Sequence, residues 1–374
     1  MSVVSQRAPV LARLFTSRWG PIVTGAFIGI LAPVLVKLGN PGNMGICVAC
    51  FSRDIAGALG LQRAATVQYI RPEIIGLVLG AFVAALSFGE FKPRTGSAPI
   101  VRFFLGVFAM FGALVFLGCP WRAYLRLGGG DWNAIFGILG LAAGIGVGVL
   151  FLRTGFSLGR SHRAPAAMGW VMPAAMVTLL VFLIVQPLFG RDATGAATGP
   201  IFFSTKGPGS QYAPLAISLV VGLAIGFVAQ RSRFCTVGGI RDAIMMRDMH
   251  LLNGAIALVV AAFITNLALG QFHAGIQNQP IAHTNEWWNF GGMVLAGLAF
   301  TLAGGCPGRQ LFLAGEGDGD AAMFVGGMIV GAGFAHNFTI ASSTSGIAAF
   351  GPLAVGMGLL VCVVLGLTMR EAKG

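Results

Sequence analysis

Residues 346–369 run for 24 positions without a charged side chain, and the stretches at 133–152 and 166–189 hold none either. A helical run of about 20 apolar residues matches the ~30 Å hydrocarbon core of a bilayer. The runs are continuous, whereas outer-membrane strands alternate apolar and polar positions over about ten residues, so a barrel is excluded. Only 10% of the 374 residues are charged, against roughly 25% in soluble domains. The fold class that follows is an all-α polytopic membrane protein. Apolar runs fall at about 20–37, 73–89, 101–118, 133–152 and 166–189, then at about 212–230, 251–270, 289–305, 321–336 and 346–369, giving about ten transmembrane helices. Arg7, Arg13 and Arg18 precede the first run as in a leader peptide, but that run belongs to the repeat described next and is expected to stay as the first span.

The chain repeats itself at half its length. Cys47-Val-Ala-Cys-Phe-Ser-Arg53-Asp54 aligns with Cys235-Thr-Val-Gly-Gly-Ile-Arg241-Asp242 at an offset of 188, and Gly118-Cys119-Pro120-Trp-Arg122 aligns with Gly305-Cys306-Pro307-Gly-Arg309 at 187. Gly128, Gly130 and Asp131 continue onto Gly315, Gly317 and Asp318, and Gly140, Gly144 and Gly146 onto Gly327, Gly331 and Gly333. Residues 1–190 and 191–374 are thus two repeats of five spans each. Five is odd, so the repeats are expected to have opposite orientations, the inverted arrangement of many transporters.

Loop charge agrees with inversion. The loop at 90–102 carries Lys92, Arg94 and Arg102, while its counterpart at 271–288 has no Lys or Arg; the loop at 153–165 is basic and that at 336–346 is not. With both termini cytoplasmic, 16 basic residues fall inside and 8 outside, the expected positive-inside bias. Most of the net charge of +12 is then a topology signal, and no nucleic-acid partner is implied.

Each Gly-Cys-Pro motif ends a span and starts a short helix of about two turns, because proline suits the first helical position; the glycines at 128–130 and 315–317 would stop it. Breaks of this kind are tolerated at membrane depth only where the backbone is buried in protein or lines a wet cavity. Their N-termini favour an anion and make a thiolate more available. With the segments opened by Cys47 and Cys235, four short re-entrant helices are expected. Cys119 and Cys306 would face each other nearest the middle, and the four thiols would offer successive weak S–H contacts to a soft anion. Arg122 and Arg309 could draw an anion inward or reach for the headgroups, and Arg53 and Arg241 could line an entrance or neutralise Asp54 and Asp242. Cys362 has no repeat partner and is expected to pack.

Cys47 and Cys50 also have the spacing of a redox pair, so a membrane thiol oxidoreductase is a second reading, and a channel for another small solute is a third. Cys50 aligns with Gly238 and stands outside the symmetric design. His162, His250, His273, His283 and His336 show no metal-ligand spacing, and no nucleotide or hydrolase motif is present. Neither a metal, a cofactor nor an enzymatic activity is expected.

These motifs resemble the YeeE/YedE family of bacterial inner-membrane sulfur-compound transporters over essentially the whole chain. The segment from Gly39 to Gly60 looks more specifically like the branch labelled as selenium transporters. The resemblance implies an hourglass-like bundle in which re-entrant helices meet at a constriction. It further implies that Cys47, Cys119 and Cys306, with Cys235 completing the set, relay a thiosulfate-like sulfur or selenium anion taken up from outside. A small cytosolic sulfur-carrier protein is the partner it suggests beyond the lipid bilayer.

Overall fold

A computed structural model describes Phe15 and residues 17–186 and 198–370. Residues 187–189 of the fifth predicted run, with Arg7, Arg13 and Lys373, lie outside them. Fourteen α-helices occur among the described residues. The first repeat supplies α1 (Gly20–Lys37), α2 (Val48–Ala58), α3 (Pro72–Ser87), α4 (Pro99–Phe116), α5 (Pro120–Gly128), α6 (Asn133–Arg153) and α7 (Ala166–Val185). The second supplies α8 (Leu215–Ser232), α9 (Thr236–Met246), α10 (His250–Ala268), α11 (Glu286–Leu302), α12 (Pro307–Gly315), α13 (Gly319–Asn337) and α14 (Gly351–Thr368). Ten of these coincide with the ten predicted runs, and α2, α5, α9 and α12 are the four short helices.

Eight segments are long and apolar enough to cross a membrane, α4 running on into α5, α8 into α9 and α11 into α12. The two remaining long helices are α3, at 16 residues, and α13, whose hydropathy is diluted by glycines, Asp320 and His336. Proline opens α3, α4, α5 and α12, where its missing N–H removes no helical bond.

The most extensive packing crosses between the repeats and is reciprocal: α1 on α10 and α3 on α8, then α4 on α13 and α6 on α11. Small residues bring the backbones close. A Cβ on Gly140 or Gly144 of α6 would lie 2.2 Å or 2.1 Å from the carbonyl oxygens of Phe290 and Val294 on α11. The equivalent Gly327 and Gly331 of α13 meet Phe103 and Val107 of α4 at 2.0 Å and 2.9 Å. This is the small-residue seam by which helices associate in lipid. Gly146 belongs to no such seam: a Cβ added there would meet nothing within 4 Å, so its match to Gly333 carries no packing role.

Two loop clusters lie at the two ends of the α4–α5 segment. At its start, Lys92 N–H donates to the Glu316 carbonyl (2.9 Å), Asp320 accepts from Gly96 and Ser97, and a two-residue strand β1 (Arg94–Thr95) pairs antiparallel with β2 (His162–Arg163). At its end, His273 and Gly275 N–H donate to the carbonyls of Gly129 and Gly130 at 2.9 Å and 3.0 Å. The repeat-equivalent turns at 128–130 and 315–317 therefore sit in different clusters. Gly130 (φ +94°) and Gly317 (φ +93°) occupy the left-handed region that stops each short helix. The fifth helices depart from the exchange: α7 lies mainly on α3, and α14 on α11 and α4.

Candidate functional site

All four repeat-related cysteines are N-caps. Cys47, Cys119, Cys235 and Cys306 each hold extended backbone immediately before α2, α5, α9 and α12. An N-cap normally accepts a hydrogen bond from one of the free N–H groups of the first turn, and here sulfur takes that place. Cys47 Sγ accepts from Cys50 N–H (3.3 Å), Cys235 Sγ from Gly238 N–H (3.2 Å) and Cys306 Sγ from Arg309 N–H (3.4 Å). Cys119 makes no cap of this kind; its Sγ lies 3.8 Å from Cys47 Sγ.

The thiols are thus grouped in two pairs, each within one repeat. Cys47 meets Cys119, and Cys306 N–H donates to Cys235 Sγ at 3.4 Å. The pairs are joined by contacts between residues that flank them. Trp121, next but one to Cys119, meets Phe234 edge-to-face at 5.9 Å and Phe312 at a tilt at 6.0 Å, and a Cβ on Gly308 would fall 2.6 Å from its ring. The indole, fully buried, bridges the residues that flank the two thiol pairs. Sequence reasoning missed it, although a signal was present: the motifs Gly-Cys-Pro-Trp-Arg and Gly-Cys-Pro-Gly-Arg differ at one position, and the bulk missing from one half is supplied by the other.

The motif glycines have a local cause as well. A Cβ on Gly118 would lie 2.9 Å from the Arg122 side chain, and one on Gly305 3.1 Å from that of Arg309. Each arginine folds back over the glycine that precedes its cysteine.

The two arginines differ in their surroundings. Arg122 is fully buried, and its guanidinium donates to the carbonyls of Asn43 (3.1 Å), Ile281 (2.8 Å) and Leu117 and lies 3.3 Å from Cys50 Sγ. Among the described residues no carboxylate lies within 4 Å of it. Arg309 approaches Glu316 at 3.5 Å in a network where Glu316 also takes Arg233 (2.9 Å) and Arg94 (3.7 Å). Glu90 extends that network to Arg231 and Arg233, both at 2.9 Å. Partial burial pushes the Glu90 carboxyl up, but hydrogen bonds from Gln230 and Arg231 and the charge of Arg233 outweigh it and hold the carboxyl below its usual range.

Arg53 and Arg241 are each held by a neighbouring carboxylate. Arg53 binds Asp54 at 2.7 Å, and Asp54 also holds Arg71 at 2.7 Å, all three buried. Arg241 binds Asp242 at 2.8 Å in a half-buried setting. Arg126 pairs with Asp131 at 2.6 Å, and Cys362 is buried in α14 as a packing residue. Cys50 lies beside Arg122 and contacts the Leu117 carbonyl at 3.8 Å.

The profile of a family described as sulphur transport matches residues 2–121 and 231–369, which is more than half of the chain and covers all four cysteines. The chain belongs to the sulphur transport family. Among individual members of this YeeE/YedE family, it is 34% identical over 101 residues to the thiosulfate transporter TsuA of Escherichia coli strain K12, covering 26% of this chain and 28% of that protein. It is 31% identical over 99 residues to the thiosulfate transporter TsuA of Spirochaeta thermophila, covering 26% and 29%. The chain thus aligns with under a third of the length of these curated relatives. Family membership and the helical architecture together make it a multi-pass membrane protein.

Proposed function

We propose that this protein takes up a small sulfur-containing anion of the thiosulfate kind across the bacterial inner membrane, handing it from the Cys47–Cys119 pair to the Cys235–Cys306 pair. The observation that carries this reading is the pairing of thiols at the N-termini of four short helices, with Arg122 buried beside the first pair and lacking a carboxylate. Helix N-termini and an uncompensated guanidinium favour negative charge, while S–H groups are weak donors suited to a diffuse sulfur anion that has to leave again. A doubly charged anion lodged at a strong, fully paired site would not move on.

On this reading the two repeats are inverted, forming the two ends of an hourglass closed at Trp121. The basic cluster of Lys92, Arg94, Arg163 and Arg233 faces the cytoplasm, as the positive-inside bias favours, and the Gly129–His273 cluster faces outward. Both chain termini are then cytoplasmic. A selenium oxyanion or selenium analogue of thiosulfate falls in the same chemical class and is the natural competitor.

The test is uptake of radiolabelled thiosulfate into proteoliposomes, with selenite, sulfite and sulfate as competitors. Cys119→Ala and Cys306→Ala are each expected to reduce the rate at least tenfold in protein that remains monodisperse. Full transport by both variants would overturn the relay. Uptake that ignores excess thiosulfate would overturn the substrate class.

A further inference from the structure

The fifth helix of the first repeat stands away from α13 and leaves an apolar groove of about 810 Å³ between them. Met168, Met172, Met176 and Phe182 form one wall, and Met323 and Gly326 stand on the other. From Met168 to Phe182 the groove follows fourteen residue steps of helix, about 21 Å at 1.5 Å per step. That exceeds the ~15 Å that one leaflet contributes to a ~30 Å hydrocarbon core. Methionine walls are adaptable and fit a flexible chain better than a rigid ring.

One mouth of the groove is cationic. Thr95 and Pro99 line it there, and Thr95 is the strand partner of His162, with Arg94 opposite Arg163. Arg94 is engaged by Asp318 at 2.7 Å. Lys92, Arg160 and Arg163 have no carboxylate within 4 Å among the described residues, and Lys92, Arg160, His162 and Arg163 are all exposed. Arg163 stands three residues before α7 begins, so these charges gather at the end where the groove opens.

We infer that this groove is a binding site for one anionic phospholipid, its acyl chain between α7 and α13 and its phosphate against Arg160 and Arg163. The occupant follows from the combination: a chain-length apolar slot, and exposed cations without a carboxylate within 4 Å, among the described residues, at the mouth beside β1 and β2, where a neutral headgroup would gain nothing. The site is remote from the thiol pairs and does not depend on the substrate they handle.

Native mass spectrometry of the full chain, offered phosphatidylglycerol and phosphatidylcholine with identical acyl chains, tests it. Wild type is expected to retain phosphatidylglycerol preferentially. Arg160→Gln and Arg163→Gln should each lower that preference about fivefold, the share of one basic residue near a membrane surface. Gly326→Phe fills the groove at a position with nothing within 4 Å of an added Cβ, so it should fold normally and lose the bound lipid of either headgroup. Equal retention of the two lipids by wild type, or undiminished lipid on Gly326→Phe, would overturn the proposal. So would displacement of the lipid by inorganic phosphate, which would mark a free-anion site instead.

Discussion

Arg122→Met removes a buried cation beside the thiols that, among the described residues, no carboxylate balances, and Coulomb's law gives the scale of the effect. The guanidinium lies 3.3 Å from Cys50 Sγ, and Cys50 is the third residue of the helix capped by Cys47. Taking roughly 7 Å between that charge and an anion resting on Cys47 and Cys119, with an effective dielectric of about 20, Coulomb's law gives about 2.4 kcal/mol per unit of anion charge, a factor of roughly fifty in affinity for each unit. The same substitution leaves the carbonyls of Asn43, Leu117 and Ile281 without their donor, which destabilises by about 1–3 kcal/mol for each that water cannot reach. Arg122→Lys separates the two effects. It too loses the forked set of hydrogen bonds but keeps the charge. Initial uptake rates against thiosulfate concentration, in proteoliposomes normalised for inserted monodisperse protein, are expected to show apparent KM raised at least about fiftyfold, the factor for a single unit of anion charge, for Arg122→Met and only a few-fold for Arg122→Lys. The shift should change little with ionic strength, because the charge is buried. A well-inserted Arg122→Met protein with KM within threefold of wild type would refute the reasoning, as would equal losses in the two variants.

Gly308→Val forces a side chain into the 2.6 Å approach to Trp121; uptake should fall at least tenfold with KM unchanged, and Trp121→Phe in the same chain should recover part of it. Cys50→Ser leaves the four repeat-related thiols intact, so thiosulfate uptake should stay within about threefold of wild type. Its abolition in folded protein would instead favour the dithiol oxidoreductase reading. Glu90 has a carboxyl pKa below its ordinary value of 4.5, so its stabilising contribution is fully present above the unfolded pKa and is lost as pH falls through the lower folded one. The difference in thermal unfolding between wild type and Glu90→Gln should therefore be constant from neutral pH to about pH 5 and vanish only below the ordinary carboxylate range; a difference that collapses near pH 6 would show that Glu90 is not the group responsible.

The spans were legible because each one records its own solvent. An uncharged run of 20 residues at 133–152 is a helix in lipid whatever surrounds it, and it folds as Asn133–Arg153. The short helices were legible for the same local reason, with proline to start Pro120–Gly128 and Pro307–Gly315 and glycine to stop them. The partners across space were less accessible. The repeat places Cys47 and Cys119 on two different motifs of one half, 72 residues apart, but their 3.8 Å contact depends on how the two short segments fold against each other. Arg122 and Arg309 read alike in the motif, although one clue lay seven residues further on in each: Glu316 beside Arg309 aligns with Gly129 beside Arg122. Nor does any pattern within α7 tell that it rests on α3 rather than closing against α13, since lipid and protein are equally apolar partners for such a helix.

Departures from symmetry give the symmetric frame a direction. If both thiol pairs were surrounded identically, an anion would be held equally at each and the pathway would favour neither end. Instead the Cys47–Cys119 pair adjoins an extra thiol, Cys50, and an arginine without a carboxylate, whereas beside the Cys235–Cys306 pair Cys50 is replaced by Gly238 and Arg309 shares Glu316 with Arg233 and Arg94. A carboxylate already seated among those arginines competes with an arriving anion for the same donors. On the proposed relay, the first pair is then the stronger capture site and the second the weaker one. On the same proposal, an anion that passes Trp121 moves from a bare cation to a neutralised one, which would speed its release on the cytoplasmic side. The energy for net uptake must still come from outside this step, because a difference in site affinity sets the rates of capture and release and cannot by itself move the equilibrium across the membrane.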